Sequence, residues 1–132
     1  MHIFIGGAYN GKHKYVRRWL QEQELIEVEW YVGQLPKAPT SKTVVISGLE
    51  EIIKPLLEQD EKLLATQIVE QLQLLDKKHQ IIIIATEIGR GIVPIDQQDR
   101  QLRDTLGRLY QQLFAVSDQV TRIWYGLAGK IK

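Results

Sequence analysis

The sequence contains no cysteine, so disulfide bonds and thiolate metal sites are excluded. Its net charge is only +1, and the acidic and basic residues are interspersed, which argues against a dedicated nucleic-acid surface. Long apolar runs are also lacking: Ile81 to Ala85 falls far short of the roughly 18 residues that a membrane span needs. No signal peptide is visible. We therefore expect a cytoplasmic protein that partners neither a membrane nor a nucleic acid.

What is present is an alternation of strand and helix signals over 132 residues, 44% of them hydrophobic. Short apolar runs predict buried parallel strands at Met1 to Ile5, Thr43 to Ser47 and Ile81 to Ala85, with a last strand near Val120 to Tyr125. A stripe of apolar residues from Leu64 to Leu75 predicts one helix, and a row of leucines predicts another from Gln97 to Val116. Gly33 to Lys42, with two prolines, reads as a loop. These features predict a single α/β domain over residues 1–132.

The first apolar run leads into Gly6-Gly7-Ala8-Tyr9-Asn10-Gly11-Lys12-His13. This octet follows the phosphate-loop pattern Gly-x-x-x-x-Gly-Lys-Ser/Thr, in which backbone N–H groups and the lysine hold nucleotide phosphates and the hydroxyl binds Mg²⁺. His13 replaces the hydroxyl, and imidazole is a poor ligand for a hard cation that prefers oxygen. The octet thus predicts nucleotide phosphate binding more firmly than phosphoryl transfer. The alternative is a tight strand-to-helix turn that binds nothing.

A second group of candidate residues lies in the last third of the chain. The segment Thr86 to Pro94 leaves a buried strand at its carboxyl end, where open α/β sheets place their ligands. On the helix that follows, the polar side opposite the leucines carries Arg100, Arg103, Asp104, Gly107 and Gln111. Because a glycine inside a helix costs roughly 1 kcal/mol relative to alanine, Gly107 indicates close approach of a backbone, a ligand or a neighbouring subunit. Asp104 could instead simply pair with Arg100 or Arg108 along the helix.

These residues occur in one recognisable order: Glu87-Ile88-Gly89-x-Gly91-Ile92-Val93-Pro94, then Arg100-x-x-Arg103-Asp104-x-x-Gly107-x-x-x-Gln111, then Asp118-x-Val120 and Gly126. In this order the chain resembles the bifunctional adenosylcobinamide kinase and adenosylcobinamide-phosphate guanylyltransferase family of cobalamin biosynthesis. The resemblance covers about residues 81–132 and, in position, the phosphate loop. It implies a P-loop NTPase-like three-layer sandwich with a mostly parallel sheet, GTP or ATP as the nucleotide, a cobinamide-type corrinoid as the second ligand, and a trimer whose neighbouring subunits help to build the site.

Three departures from that family's pattern fall where the chemistry is expected. His13 stands at the position of the magnesium-binding hydroxyl, and Ser47 stands where the family ends its next core strand with an acidic residue. Glu50 or Glu51 could substitute for that acid, or could only favour a helix start. The histidine-rich segment that carries the guanylyl group in the family is missing, since the chain has only His2, His13 and His79. We therefore doubt a bound Mg²⁺ and expect no guanylyl transfer through histidine.

Two functions remain open on this reading, together with a plainer third. The chain could be a reduced enzyme that keeps the kinase step, with Lys12 stabilising the charge on the transferring phosphoryl group. It could instead be a catalytically degenerate subunit that binds a nucleotide or corrinoid, or regulates a complete relative. The third reading is a scaffold whose polar helix face serves only subunit packing. Smaller departures at Thr86, Leu102 and Tyr110 put corrinoid recognition in question.

Overall fold

Six strands form one sheet in a computed structural model of the protein, which describes residues 1–7, 11–88 and 96–132. The strands are β1 (His2–Gly6), β2 (Val28–Val32), β3 (Thr43–Ser47), β4 (Gln80–Thr86), β5 (Gln119–Trp124) and β6 (Leu127–Lys130). The α-helices are α1 (Lys12–Glu22), α2 (Leu49–Ile53), α3 (Glu61–Asp76) and α4 (Gln97–Val116). None of the helices in these ranges is long and apolar enough to cross a membrane.

The sheet order is β2-β3-β4-β1-β5-β6, and every neighbouring pair is parallel except β5 and β6. The phosphate-loop strand β1 therefore lies between β4 and β5. Parallel strands end at the same side of a sheet, so the ends of β1, β3, β4 and β5 share one margin, which we call the carboxyl edge. This is where an open α/β sheet binds its ligands.

Helices cover both faces of the sheet, which gives three layers. On one face α1 buries Val16 and Leu20 against Phe4 and Ile82. On the other face α2, α3 and α4 pack over Ile3, Ile83 and their neighbours in the larger of the two cores. The central strands are apolar on both faces because both faces are covered. The predicted P-loop NTPase-like α/β fold with a mostly parallel sheet is confirmed.

The predicted elements agree closely with the observed ones. Gln97–Val116 and Thr43–Ser47 have the predicted bounds, and the other predicted strands differ from the observed ones by one residue at each end. The segment from Gly33 to Lys42 is a loop, and α2 ends at Ile53, just before Pro55 in a 3₁₀ turn. On α4 the leucine face is narrower than predicted: Leu106, Leu109 and Leu113 are buried, whereas Leu102 is half-buried and Val116 is exposed.

The two edge strands, β2 and β6, were not predicted. In β2 every residue is partly or fully exposed, and in β6 all four are exposed, so neither carries a continuous apolar run. Strand β6 is held by pairing with β5, and β2 by pairing with β3 together with partial burial of Val28, Trp30 and Tyr31. A hydrophobic pattern cannot reveal strands of that kind.

Candidate nucleotide-binding site

The phosphate loop joins β1 to α1 at the carboxyl edge. Helix α1 begins at Lys12, directly after Gly11, whose φ of 71° is a left-handed conformation that favours glycine. Lys12 is buried, and its Nζ donates to the carbonyl oxygen of Gly7 at 2.8 Å. The predicted residues Ala8, Tyr9 and Asn10 lie outside the described residues.

Gly6 occupies the tightest point beneath this loop. A Cβ at this position would lie 2.6 Å from the carbonyl oxygen of Ile123 on β5 and 3.3 Å from the Lys12 side chain. Only glycine fits between the neighbouring strand and the lysine stem. The end of β5 is thereby brought against the base of the phosphate loop, which places the residues after Ile123 beside the site.

Lys12 is the charged centre of the site. Burial lowers the pKa of its ammonium, while the negative charges of Glu50 and Glu87 act in the opposite direction and partly offset that effect. Among the described residues, this ammonium donates to a neutral carbonyl, and exchanging that partner for an anionic phosphate oxygen adds an attraction between opposite charges. The loop thus has the chemistry of an anion site.

Two of the departures found in the sequence contact each other. The Nε2 of His13, at the start of α1, lies 3.3 Å from the hydroxyl of Ser47, the buried last residue of β3. The imidazole also stacks on Trp30, with ring centroids 6.4 Å apart. Burial and the positive charges of Lys12 and Arg17 lower the pKa of His13, so the ring is neutral at pH 7.

The His13–Ser47 pair does not suit a protein-held Mg²⁺. Its donor set is one imidazole nitrogen and one neutral hydroxyl, whereas Mg²⁺ takes oxygen ligands and usually at least one carboxylate. The described residues contain no group of three or more acidic, histidine or cysteine side chains placed to hold a metal ion. The residues at this position therefore do not fit the ion.

The structure separates the two acidic residues proposed as substitutes. Glu50 acts electrostatically on Lys12 and lines a cavity of about 280 Å³ at the carboxyl edge. Glu51 instead lies against Gly33, just after the edge strand β2: a Cβ built on Gly33 would be 3.2 Å from the Cβ of Glu51. Glu50 is the acid that belongs to the site. The rest of its cavity is lined by Thr86, Glu87, Ile88, Asp99, Leu102, Arg103 and Leu106.

Glu87 links the phosphate loop to β5. Its backbone N–H donates to the carbonyl oxygen of Gly6 at 2.8 Å, and its carboxylate accepts from the Nε of Arg122 at 2.8 Å. Arg122 was not predicted as a site residue. The available signal was a charged residue in the middle of a predicted strand, since Arg122 follows Thr121 and precedes Ile123.

The polar face of α4 forms a second recess beside this cavity. This groove has a volume of about 500 Å³. It is lined by four of the residues predicted on the polar side of the helix, Arg103, Asp104, Gly107 and Gln111, together with Glu61, Ile88 and Arg108. Arg103 pairs with Asp104 at 3.5 Å, and Arg108 pairs with Glu61 of α3 at 2.8 Å rather than with Asp104.

Gly107 makes no close approach within the described part of the chain, because nothing there lies within 4 Å of a Cβ built on it. No packing contact among the described residues therefore accounts for this glycine. Arg100, at the start of α4, is exposed and does not line this groove. The predicted residues Gly89, Gly91 and Pro94 lie outside the described residues.

Two smaller departures also meet. The buried Tyr110 of α4 donates its hydroxyl to the carbonyl oxygen of Thr86 at 2.9 Å, and burial raises the pKa of that phenol. The end of β4 is thereby tied to α4. Because its hydroxyl donates to the backbone of β4, Tyr110 influences the shape of the cavity through the position of that strand.

The remaining histidines lie away from the site, as their structural interpretation predicts. His2 bonds to the hydroxyl of Thr121 at 2.8 Å and stacks on Phe4, and burial lowers its pKa to about 4. The Nδ1 of His79 lies 2.7 Å from the carbonyl oxygen of Ser41. A larger cavity of about 930 Å³ lies between the Gly33–Lys37 loop and the end of α3, and it adjoins none of the predicted site residues.

Comparison with known proteins decides the family. A model of the family described as cobinamide kinase / cobinamide phosphate guanyltransferase matches residues 11–131. The chain belongs to this family. Among its curated relatives are the bifunctional adenosylcobalamin biosynthesis proteins CobU of Salmonella typhimurium and Escherichia coli, each 38% identical over 53 residues.

The matched segment is 40% of this chain and 29% of either CobU protein, so the chain matches less than a third of the length of these relatives. The family match begins at Gly11, inside the phosphate loop, and takes in Lys12, His13 and Ser47 as well as α4. The substitutions at the carboxyl edge are therefore departures within a member of the cobinamide kinase family.

Proposed function

We propose that this family member binds the phosphates of GTP or ATP at Lys12 without a protein-held Mg²⁺, and that it serves cobalamin metabolism as a nucleotide-binding subunit without guanylyl transfer. Lys12 and the backbone from Gly6 to His13 form the phosphate site. The observation that carries the proposal is the contact between His13 and Ser47. It joins the two positions at which the family pattern has a hydroxyl and an acid, and both replacements are neutral at pH 7.

Loss of the metal ligands does not remove the anion site. Lys12 keeps its position under the loop, and its ammonium has only a carbonyl partner in the described residues. Positive charge at α1 is reinforced by Lys14 and Arg17 on exposed positions of its first turns. A nucleotide can therefore bind with part of its charge balanced by these side chains, whether or not Mg²⁺ from solution accompanies the phosphates.

The experiment is titration calorimetry with GTP and ATP, in the presence and absence of Mg²⁺. Lys12→Ala removes the buried cation, and Lys14→Ala is the matched control, because it removes the same charge from an exposed position two residues away. We expect Lys12→Ala to weaken binding about 10- to 100-fold, the size of a lost charge-assisted hydrogen bond. Lys14→Ala changes it by no more than a few-fold.

The measurement separates the remaining interpretations. Equal binding with and without Mg²⁺ supports the proposal, whereas strong dependence on Mg²⁺ contradicts it. Absence of any binding favours a packing scaffold. An unchanged nucleotide affinity in Lys12→Ala would show that the nucleotide binds somewhere other than the phosphate loop.

A second candidate is retention of the kinase step. The observation that favours it is the cavity beside Lys12, in which Glu50, Glu87 and Arg103 surround a space of about 280 Å³ that could take the acceptor hydroxyl of a cobinamide-type corrinoid. Incubation with adenosylcobinamide and with GTP or ATP labelled on the γ-phosphate tests it. Transfer of label that is abolished by Lys12→Ala would support the kinase, and nucleotide binding without transfer would exclude it.

A further inference from the structure

We propose that Trp124 and Tyr125, at the tip of the β5–β6 hairpin, form a stacking platform for the purine base of the nucleotide whose phosphates bind at Lys12. The inference rests on the proposed function and adds the base site to it. Trp124 ends β5 and Tyr125 follows it in the turn. Their side chains are 58% and 77% exposed, with ring centroids 5.7 Å apart.

The tip of the hairpin lies at the same edge of the sheet as the phosphate loop. Gly6 pairs with Ile123 in the parallel register of β1 and β5, and the Ile123 carbonyl closes on Gly6 so tightly that a Cβ there would be 2.6 Å away. The stem of Lys12 contacts the same glycine. One residue further along β5, Trp124 thus lies beside the base of the phosphate loop.

The second step is the way Trp124 is held. Alternation along β5 places Arg122 and Trp124 on the same face, and the guanidinium of Arg122 lies 6.0 Å from the Trp124 ring centroid. Arg122 is itself fixed by the ion pair with Glu87, whose backbone bonds to Gly6. A chain of contacts therefore connects the phosphate loop to the indole and leaves much of the indole open to solvent.

The third step is the backbone at Tyr125. The two central residues of the turn, Tyr125 and Gly126, have φ values of 49° and 77°, as in a type I′ hairpin turn. Asn, Asp and Gly suit the first of these positions, whereas a bulky side chain at positive φ is strained. The strain is not offset by burial, since Tyr125 is highly exposed. Backbone strain of this kind is concentrated at binding sites.

Two open aromatic rings next to a phosphate site have the chemistry that recognises a nucleobase. Each base has a π-face, and stacking on an aromatic side chain tolerates either purine. The platform therefore predicts that ATP and GTP bind with affinities within a few-fold of each other. A smaller pyrimidine base, as in CTP, binds more weakly because it covers less of the rings.

The test compares ATP and GTP with inorganic tripolyphosphate, which offers the phosphates without the base. In the parent protein the nucleotides bind about 5- to 150-fold more tightly, the measured range for stacking one base. Tyr125→Asn and Trp124→Leu remove most of that advantage and leave the tripolyphosphate affinity unchanged. Tyr125→Phe keeps the ring and retains the advantage.

Tyr125→Asn also distinguishes a binding role from a structural one. Asn tolerates the left-handed conformation, so this variant raises the Tm by about 2–5 °C while it weakens nucleotide binding. A misfolded variant would instead show a lowered Tm together with weakened binding. As an independent readout, nucleotides but not tripolyphosphate quench tryptophan fluorescence, and the quenching disappears in Trp124→Leu, which keeps Trp19 and Trp30.

The contrary outcomes are distinct from failure of the phosphate site. If tripolyphosphate binds as tightly as ATP, or if Tyr125→Asn keeps full nucleotide affinity, the platform is wrong while the phosphate site stands. If the same variant lowers the sedimentation mass and leaves nucleotide affinity unchanged, the rings form a subunit contact and the inference is overturned. If none of the three anions binds, both proposals fail together.

Discussion

The carboxyl edge has two unlike halves on either side of β1. Toward β3 the two residues at the metal-ligand positions of the family pattern are neutral: His13 contacts Ser47 and stacks on Trp30, and the nearest acid is Glu50 on α2. Toward β5 the groups are charged or aromatic and open, with Glu87 paired to Arg122 and Trp124 beyond it. Lys12 lies between the two halves and is the charge they share.

Under the proposed function, the difference reflects loss of the metal-dependent part of nucleotide chemistry. The β3 half carries the positions that hold a metal ion in the family pattern, and its replacements contact each other rather than leaving a gap. The β5 half keeps polar and aromatic groups that can hold a ligand without a metal. Neutral residues at the metal-ligand positions beside a buried Lys12 are what the proposed binding without a protein-held metal ion requires.

The largest effect is expected where the halves meet. Gly6→Ala forces a Cβ against the Ile123 carbonyl and the Lys12 stem, so β1 and β5 must separate at the loop. We expect a loss of about 1–3 kcal/mol in the free energy of unfolding, the usual cost of overpacking. Chemical denaturation measures it. A stability within error of the parent would show that the two strands are not locked together here.

The second prediction restores the lost chemistry on the β3 side. The double variant His13→Thr with Ser47→Asp supplies the hydroxyl and the carboxylate that Mg²⁺ prefers. Nucleotide affinity should then rise about tenfold on addition of Mg²⁺, while the parent shows no such rise. Calorimetry with and without the ion decides it. The single variant Ser47→Asp serves as a control and should be less stable without Mg²⁺, because it buries an uncompensated carboxylate.

The third prediction concerns the proton on His13. Lys12, Arg17 and burial lower its pKa, so the ring is neutral at pH 7 in the free protein. A bound phosphate favours the imidazolium, and nucleotide affinity should therefore increase a few-fold as the pH falls from 7.5 toward 5.5. Protonation of the phosphate itself works in the opposite direction. His13→Gln carries only that opposing effect, so a parent profile identical to that of His13→Gln would remove the role of His13.

The fold was largely predictable because its central strands and helices carry continuous apolar signals. Thr43–Ser47 and Gln97–Val116 appear with their predicted bounds since one is buried on both faces and the other has a regular leucine face. The edge strands β2 and β6 were not predicted because none of their residues is fully buried.

The sequence predicts individual candidate residues for the site, but it does not predict which of them are in contact. His13 and Ser47 are 34 positions apart, and Glu87 and Arg122 are 35 apart. No spacing rule connects such pairs, because strand order brings them together. Trp124 and Tyr125 gave no signal as a site in the sequence, since an aromatic pair in a strand is usual; the positive φ of Tyr125 is visible only in the structure.

The smallest expected effect is at Gly107, on the polar groove of α4 beyond the β4 end. A Cβ at this position would have no neighbour within 4 Å in the described chain. Gly107→Ala should therefore raise the free energy of unfolding by about 0.5–1 kcal/mol, because alanine favours the helix more than glycine does. Thermal unfolding measures this gain. If the groove instead packs against a second copy, the larger Gly107→Leu lowers the sedimentation mass, and an unchanged mass rules out packing at that face. A stabilised, fully assembled alanine variant would leave a ligand as the reason for the glycine, and a loss of corrinoid binding in Gly107→Leu would then join the α4 groove to the nucleotide site.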